Sequence, residues 1–559
     1  MIDTLVIAVF SVFILLVGVS FSKTGRNLKS FFAGGESVPW FIGGLSLFMS
    51  FFSAGTFVAW GSIAYSHGCV AVTIQWTMCI GGLFTGLYLA PKWKSTGNLT
   101  AAEFIRERLG LLVQKFYIYV FMIVSVLIKG SVLYSVAKLV SVSLEYPLMP
   151  VTIILGILMI AYTAVGGLWA VMVTDILQFV VLTAAIFIII PLVFAEVGSV
   201  QAFVDKVPDD FFNLVNGEYT WGFIFAFALY HIFYIGGNWT FVQRYTSVES
   251  PKAASKVAFL FAGLYIISPV LWMIPPMLYR SINPSLSGIE VESAYIMVCK
   301  HVLPAGLLGL MLTGMYFSTS ASANTALNVV SAVFTNDIYK GSVNPLASDK
   351  KLMFVARASS WFFGVFMIVI ALIVPMIGGI VEFTLSVGAI TGGPLLAPPI
   401  WALFSKRLTG KATLYITAIS LTVNLLFKII FPLLGDFKLS RANEMLLGVA
   451  LPFLLLVAYE LYARYKGTIS AEYLALKQQK ALKKLETPVL DEEELLALKK
   501  QNRFGLQMIA FSLMFIALLL YGLCFVSPKD MLLVGSIATV VLCSSIIPWR
   551  ASKKVRFDQ

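Results

Sequence analysis

An all-α protein that crosses a membrane about fifteen times is what this chain predicts, and three observations carry the prediction. Of 559 residues, 59% are apolar and 12% charged, with a mean hydropathy of +0.89. Ordinary soluble domains run near ~45–50% apolar and ~25% charged. Fifteen stretches approach the ~20 mainly apolar residues that a helix needs to cross the hydrocarbon. Two of those stretches are interrupted by small and polar residues at matching places in two halves of the chain.

The surplus apolar surface needs a lipid bilayer as its partner. Disorder, fibres and a disulfide scaffold are excluded, since Cys69, Cys79, Cys299, Cys524 and Cys543 are scattered with no C-x-x-C spacing. A formal charge of +12 would suggest nucleic acid in a soluble chain. In a membrane protein it reads instead as the cytoplasmic excess of Lys and Arg, and no nucleic-acid partner is expected.

In chain order the predicted spans are about 3–21, 40–66, 69–91, 113–141, 149–165, 170–195, 219–241, 256–280, 300–336, 354–376, 379–405, 411–434, 443–463, 505–526 and 531–549. The first lacks a basic leader (Met1-Ile2-Asp3) and precedes Lys23, Arg26 and Lys29, so it reads as a retained span starting outside. The ninth has room for a short helix outside the membrane. With an outside N-terminus and a cytoplasmic C-terminus, thirty of the 40 Lys and Arg fall in inside loops and six outside.

The expected organisation is an N-terminal extra helix and loop (1–39), a five-helix unit (40–195), an external loop (196–218), a second five-helix unit (219–405), additional helices (406–465), a cytoplasmic polar linker (466–503) and two last helices with a basic tail (504–559). The linker's Lys and Glu blocks predict a solvated helix. It is too short for a nucleotide-binding domain, and the chain holds no G-x-x-x-x-G-K-[ST] and no H-E-x-x-H.

Breaks in spanning helices survive only where they line an enclosed or wet cavity. The first lies at Ser53-Ala54-Gly55-Thr56 in 40–66, the second at Gly236-Gly237-Asn238 in 219–241. Each opens a five-span half, and an odd number of spans inverts one half relative to the other. Interrupted helices at corresponding places point to the binding site of a secondary transporter. The competing explanation is that small residues merely allow close helix packing.

Polar residues inside the spans narrow the chemistry. An ionised side chain at the bilayer centre costs ~2.5–3.5 kcal/mol. Asp175 is either a solvated carboxylate at a helix start or a cation ligand. Lys129, mid-span with no carboxylate within a helical turn, either snorkels or pairs with an anion such as a substrate carboxylate. In Ser318-Thr319-Ser320-Ala321-Ser322-Ala323-Asn324-Thr325, residues Ser318, Ser322 and Thr325 share one helix face. Their oxygens suit a hard cation, with helix packing as the alternative. Gln75, His231, Tyr234, Tyr265 and Glu382 are further polar positions within spans.

Four segments resemble the sodium:solute symporters, the family of sodium/glucose cotransporters, proline permease and sialic acid transporters. They are Phe31-Phe32-Ala33-Gly34-Gly35-Glu36-Ser37-Val38-Pro39-Trp40, Ala161-Tyr162-Thr163-Ala164-Val165-Gly166-Gly167-Leu168-Trp169-Ala170, Gln243-Arg244, and Leu327-Asn328 with Phe334-Thr335-Asn336-Asp337-Ile338-Tyr339-Lys340. The resemblance spans about 30–435. It implies a LeuT-type five-plus-five inverted repeat with flanking helices and sodium-coupled uptake by alternating access.

It also implies a sodium site formed by backbone oxygens of Met49, Phe52 and Ser318 with the Ser322 hydroxyl. This chain has Ala321-Ser322 where many members have two hydroxyl residues. A second sodium site would map to Asp175, Asn324 and Thr325. Thr56, Gln75, His231, Tyr265 and Glu382 would line the solute cavity, with Tyr234 as inner aromatic gate. Lys129 falls near the position where sialic acid carriers meet the substrate carboxylate. The expected solute is a sugar, a sugar acid or another small organic acid, carried by a monomer. An amino-acid symporter, a membrane enzyme and a channel are the alternatives. His67, His231 and His301 are too scattered for a catalytic constellation, and the interrupted halves disfavour a channel.

Overall fold

The computed structural model describes residues 2–21, 37–98, 100–161, 168–435, 438–485, 492–526 and 528–554. Residues 31–36 and 162–167, which carry part of the resemblance, lie outside them, as do the side chains of Asn324 and Thr325. Numbered in chain order, the helices that build the body are α1 (Ile2–Ser20), α2 (Trp40–Ser50), α3 (Gly61–His67), α4 (Val70–Phe84), α5 (Leu111–Leu144), α6 (Leu148–Ala161), α7 (Leu168–Val197), α8 (Trp221–Gly237) and α9 (Trp239–Thr246). They continue with α10 (Pro251–Ile282), α11 (Leu307–Val333), α12 (Asp349–Ile373), α13 (Gly379–Phe404), α14 (Gly410–Leu425), α15 (Arg441–Tyr465), α16 (Glu492–Cys524) and α17 (Met531–Ser544).

Among the described residues eleven helices are long and apolar enough to cross a membrane. The other four predicted runs do not meet that criterion: two are the interrupted pairs α2/α3 and α8/α9, α6 is described only as far as Ala161, and α11 carries the hydroxyl cluster that lowers its hydropathy. The run 300–336 holds α11, while the short helix lies mostly ahead of that run, at Ala294–Val302, separated from α11 by Leu303–Gly306.

Both breaks exist. The second falls at Asn238, whose extended backbone (φ −64°, ψ 128°) separates α8 from α9. Its side chain caps α9 by accepting from Thr240 N at 3.0 Å. The carbonyls freed there find donors: Trp93 Nε1 reaches Gly236 O at 2.7 Å and Tyr245 Oη reaches Ile235 O at 3.0 Å. A Cβ at Gly236 would lie 2.1 Å from Leu89 Cδ1, so any larger residue there requires the Leu89 side chain to shift.

The first break lies at Phe51–Ser53, ahead of the Ser53–Thr56 stretch predicted for it; helix resumes at Ala54 and passes through a π-helical turn, Thr56–Trp60. The small residues are the cap rather than the gap. Thr56 Oγ1 donates to Phe51 O (3.0 Å) and accepts from Ser53 N (3.4 Å), so two of the unwound groups are satisfied from within the segment.

The two breaks meet. The Phe51 ring stacks on Phe241 of α9 (centroids 4.2 Å apart) and stands edge-on to Tyr234 of α8 (5.7 Å). Around this centre α2 packs on α7 and α10, α4 on α8 and α10, and α5 on α11 and α12. A second apolar cluster joins α1, α7, α11, α16 and α17, so the first and last helices share one buttress.

Candidate functional site

The hydroxyl face of α11 lies against the first break. Ser318 Oγ donates to the Phe52 carbonyl at 2.9 Å, and Thr319 Oγ1 is 3.5 Å from Ala54 N. Ser318 is buried. The Met49 carbonyl accepts from Phe52 N at 2.9 Å. Met49, Phe52 and Ser318, three of the residues expected to hold sodium, are thus joined by hydrogen bonds across two helices.

Ser322 lies one helical turn beyond Ser318, and its hydroxyl accepts from Lys129 Nζ of α5. Lys129 therefore meets α11 at an expected sodium ligand. Among the described residues it has no ion-pair partner.

Asp175 is buried, not a solvated carboxylate at a helix start. Its Oδ2 accepts from Ser46 Oγ of α2 at 2.7 Å, and the Arg244 guanidinium of α9 stands 3.9 Å away. Arg244 Nε also reaches Ser46 Oγ at 3.3 Å. This triad ties α7 to the halves of both broken helices that face the inner side in the predicted orientation. Ser46 and Arg244 were absent from the expected site. Arg244 was legible only as part of the Gln243-Arg244 segment and as one basic residue of a loop, yet it is 4% exposed.

Of the residues expected around the solute, Thr56, Tyr234 and Tyr265 gather at the first break. Tyr265 packs against the rings of Phe48 (5.1 Å) and Phe51 (6.2 Å), and Tyr234 stacks on Tyr230 (5.3 Å). His231 is engaged through Nδ1 with Thr77 Oγ1 of α4 at 2.6 Å. Gln75, two residues from Thr77 and so on another face of α4, is wholly buried. Its Nε2 donates to Ala71 O at 3.4 Å, while Oε1 has no hydrogen-bond partner among the described residues.

Glu382 has no hydrogen bond or ion pair to either break among the described residues. It pairs with Lys428 (2.9 Å) and Arg441 (3.0 Å) and accepts from Ser386 (3.2 Å), in a network that continues from Lys428 to Glu444 and from Arg441 to Glu218. Oppositely charged neighbours on other helices, separated from it by more than forty residues, could not be read from its own span.

The description "Sodium:solute symporter family" fits a model that matches residues 31–419. The chain belongs to the sodium:solute symporter family. Sodium is accordingly the coupling ion of this symporter, a multi-pass membrane protein. It is 28% identical over 453 residues to a sodium/glucose cotransporter of Vibrio parahaemolyticus, covering 74% of this chain and 81% of that one. It is 26% identical over 476 residues to solute carrier family 5 member 4B of Mus musculus, covering 76% and 71%. The substrate-bound, outward-open structure of a Na+-coupled sialic acid symporter aligns with a TM-score of 0.64 at 21% identity, covering 83% of this chain and 98% of that one. The symporter thus has the all-helical, LeuT-type fold expected above.

Proposed function

We propose that this symporter imports a small polar organic solute, a sugar, sugar acid or other organic acid, by alternating access around the two breaks. The observation that carries the reading is the hydrogen bond from Ser318 to the unwound Phe52 carbonyl, which sets oxygens of α2 and α11 side by side as a hard cation requires. Sodium binds the carbonyls of Met49, Phe52 and Ser318 and the Ser322 hydroxyl. Asp175, with Asn324 and Thr325, serves a second ion. Thr56, Gln75, His231 and Tyr265 face the solute, and Tyr234 closes the cavity from inside. The unpartnered Gln75 Oε1 supports a solute-facing role, since a buried acceptor without a donor is costly unless a ligand supplies one. The N-terminus lies outside, the C-terminus is cytoplasmic, and the monomer is the working unit without nucleic acid.

The energetics suffice. One cation crossing ~100 mV contributes ~2.3 kcal/mol, and a tenfold sodium gradient adds ~1.4 kcal/mol. For one ion with a neutral solute this supports accumulation by a few hundred-fold, roughly one tenfold step per 1.4 kcal/mol. A monoanionic solute would cancel the electrical part and favour two ions.

Uptake of labelled solutes into proteoliposomes under an imposed sodium gradient tests the reading. A screen of neutral sugars, uronic and sialic acids and amino acids separates the solute classes. Asp175→Asn and Ser322→Ala should each raise the sodium concentration for half-maximal uptake. Unchanged sodium dependence in both removes their assignment, and conductance without accumulation would favour a channel.

A further inference from the structure

Lys129 is a cation of the membrane interior to which the proposed function assigns no task. Its Nζ donates to Ser322 Oγ across the contact between α5 and α11. One turn away on α11, Ser318 Oγ donates to Phe52 O, and Phe52 N donates to Met49 O. Three of the oxygens proposed for sodium therefore already take hydrogens from the protein. Of those donors, Lys129 is the one whose ordinary form is a cation.

Charge and geometry make ammonium and sodium alternatives. Both are monocations that seek oxygen lone pairs, and two like charges within a few ångströms repel strongly where water is scarce. No carboxylate among the described residues pairs with Nζ to offset that repulsion. We propose that the Lys129 ammonium is a tethered competitor of the coupling ion. It occupies Ser322 when sodium is absent and must leave that hydroxyl before sodium binds. The sodium-free carrier thereby keeps a cation of its own between α5 and α11. This inference rests on the sodium site proposed above.

The consequence is a weakened apparent sodium affinity. If the ammonium holds the site about nine-tenths of the time, its removal tightens apparent binding about tenfold. The test is a sodium titration of the purified full-length protein, read as thermal shift, with choline chloride keeping ionic strength constant. Lys129→Met and Lys129→Gln should lower the half-saturating sodium about tenfold, whereas Lys129→Arg should leave it at or above the native value. The Gln variant keeps a donor for Ser322, so the result does not hang on whether the apolar replacement folds. Ser322→Ala, which removes the side-chain ligand proposed for sodium, is the control for the site itself and should raise half-saturating sodium. If it does so while Lys129→Gln leaves half-saturating sodium unchanged or raises it, the competitor role is overturned and the site stands. If Ser322→Ala does not raise it, the site is wrong and the inference falls with it.

Discussion

Asp175, Ser46 and Arg244 show how a buried charge is held by what surrounds it. A carboxylate in the membrane interior needs a cation or donors, and here Ser46 supplies a 2.7 Å hydrogen bond with Arg244 3.9 Å away. Removing one partner of a buried pair leaves the other uncompensated, so Arg244→Met should destabilise the protein by about 3 kcal/mol. Adding Asp175→Asn should recover part of that loss, since residues in contact couple by ~0.5–3 kcal/mol. Thermal unfolding of the two single variants and the double variant measures the coupling; strict additivity would mean that the 3.9 Å approach is incidental. The sequence placed Asp175 inside a span and Ser318 and Ser322 on one face. It did not reveal their partners, because Ser46, Phe52 and Lys129 come from helices separated from them by 129 to 266 residues.

Broken helices are stable where each freed backbone group finds a partner, and this chain uses short polar caps and distant aromatic donors together. Asn238 and Thr56 act within their own segments, while Trp93 and Tyr245 serve Ile235 and Gly236 from other turns of chain. That division explains why the second break was located closely and the first was misplaced by two or three residues. Gly-Gly-Asn marks its own gap. In the first, the gap runs through Phe51 and Phe52, apolar residues whose unwinding is compensated by ring packing and by Ser318.

A second trans-acting cap joins α1 to α11. Asp3 Oδ1 accepts from Gly306 N and Gly309 N, both at 2.8 Å, and a Cβ at Gly309 would lie 2.5 Å from the Asp3 backbone. Asp3→Ala should therefore cost ~0.5–2 kcal/mol of stability, as loss of an N-cap does, while leaving half-saturating sodium unchanged. A change in the sodium titration of that variant would show instead that α1 acts on the ion site.

One end of the assembled bundle is locked by Arg108. Its guanidinium is buried and donates to Ser405 O (2.8 Å), Leu408 O (3.1 Å) and, more loosely, Ser470 Oγ (3.5 Å), and it stands over the Tyr473 ring. Burial lowers the Arg108 pKa, with Glu472 the leading opposing influence. The start of the polar linker is therefore docked, where charge patterning predicted a solvated helix. Arg108→Ala should strip donors from two buried carbonyls and lower stability by about 3 kcal/mol. Thermal unfolding with and without sodium checks this, and the stabilisation by sodium should persist. Little loss of stability would show that the linker docks without this residue.

Apolar run lengths, charge asymmetry and two small polar interruptions were enough to predict a fifteen-run membrane body with a centre at the breaks. These are local properties, set by the length of a spanning helix and by the cost of unpaired backbone in lipid. Contacts are not local. That Glu382 joins Lys428 and Arg441, that Asp175 meets Arg244, and that Lys129 reaches a proposed sodium ligand all depend on which helices pack side by side. A charged side chain buried in lipid must find its partner across helices, so its position in the chain announces the need while the packing chooses what meets it.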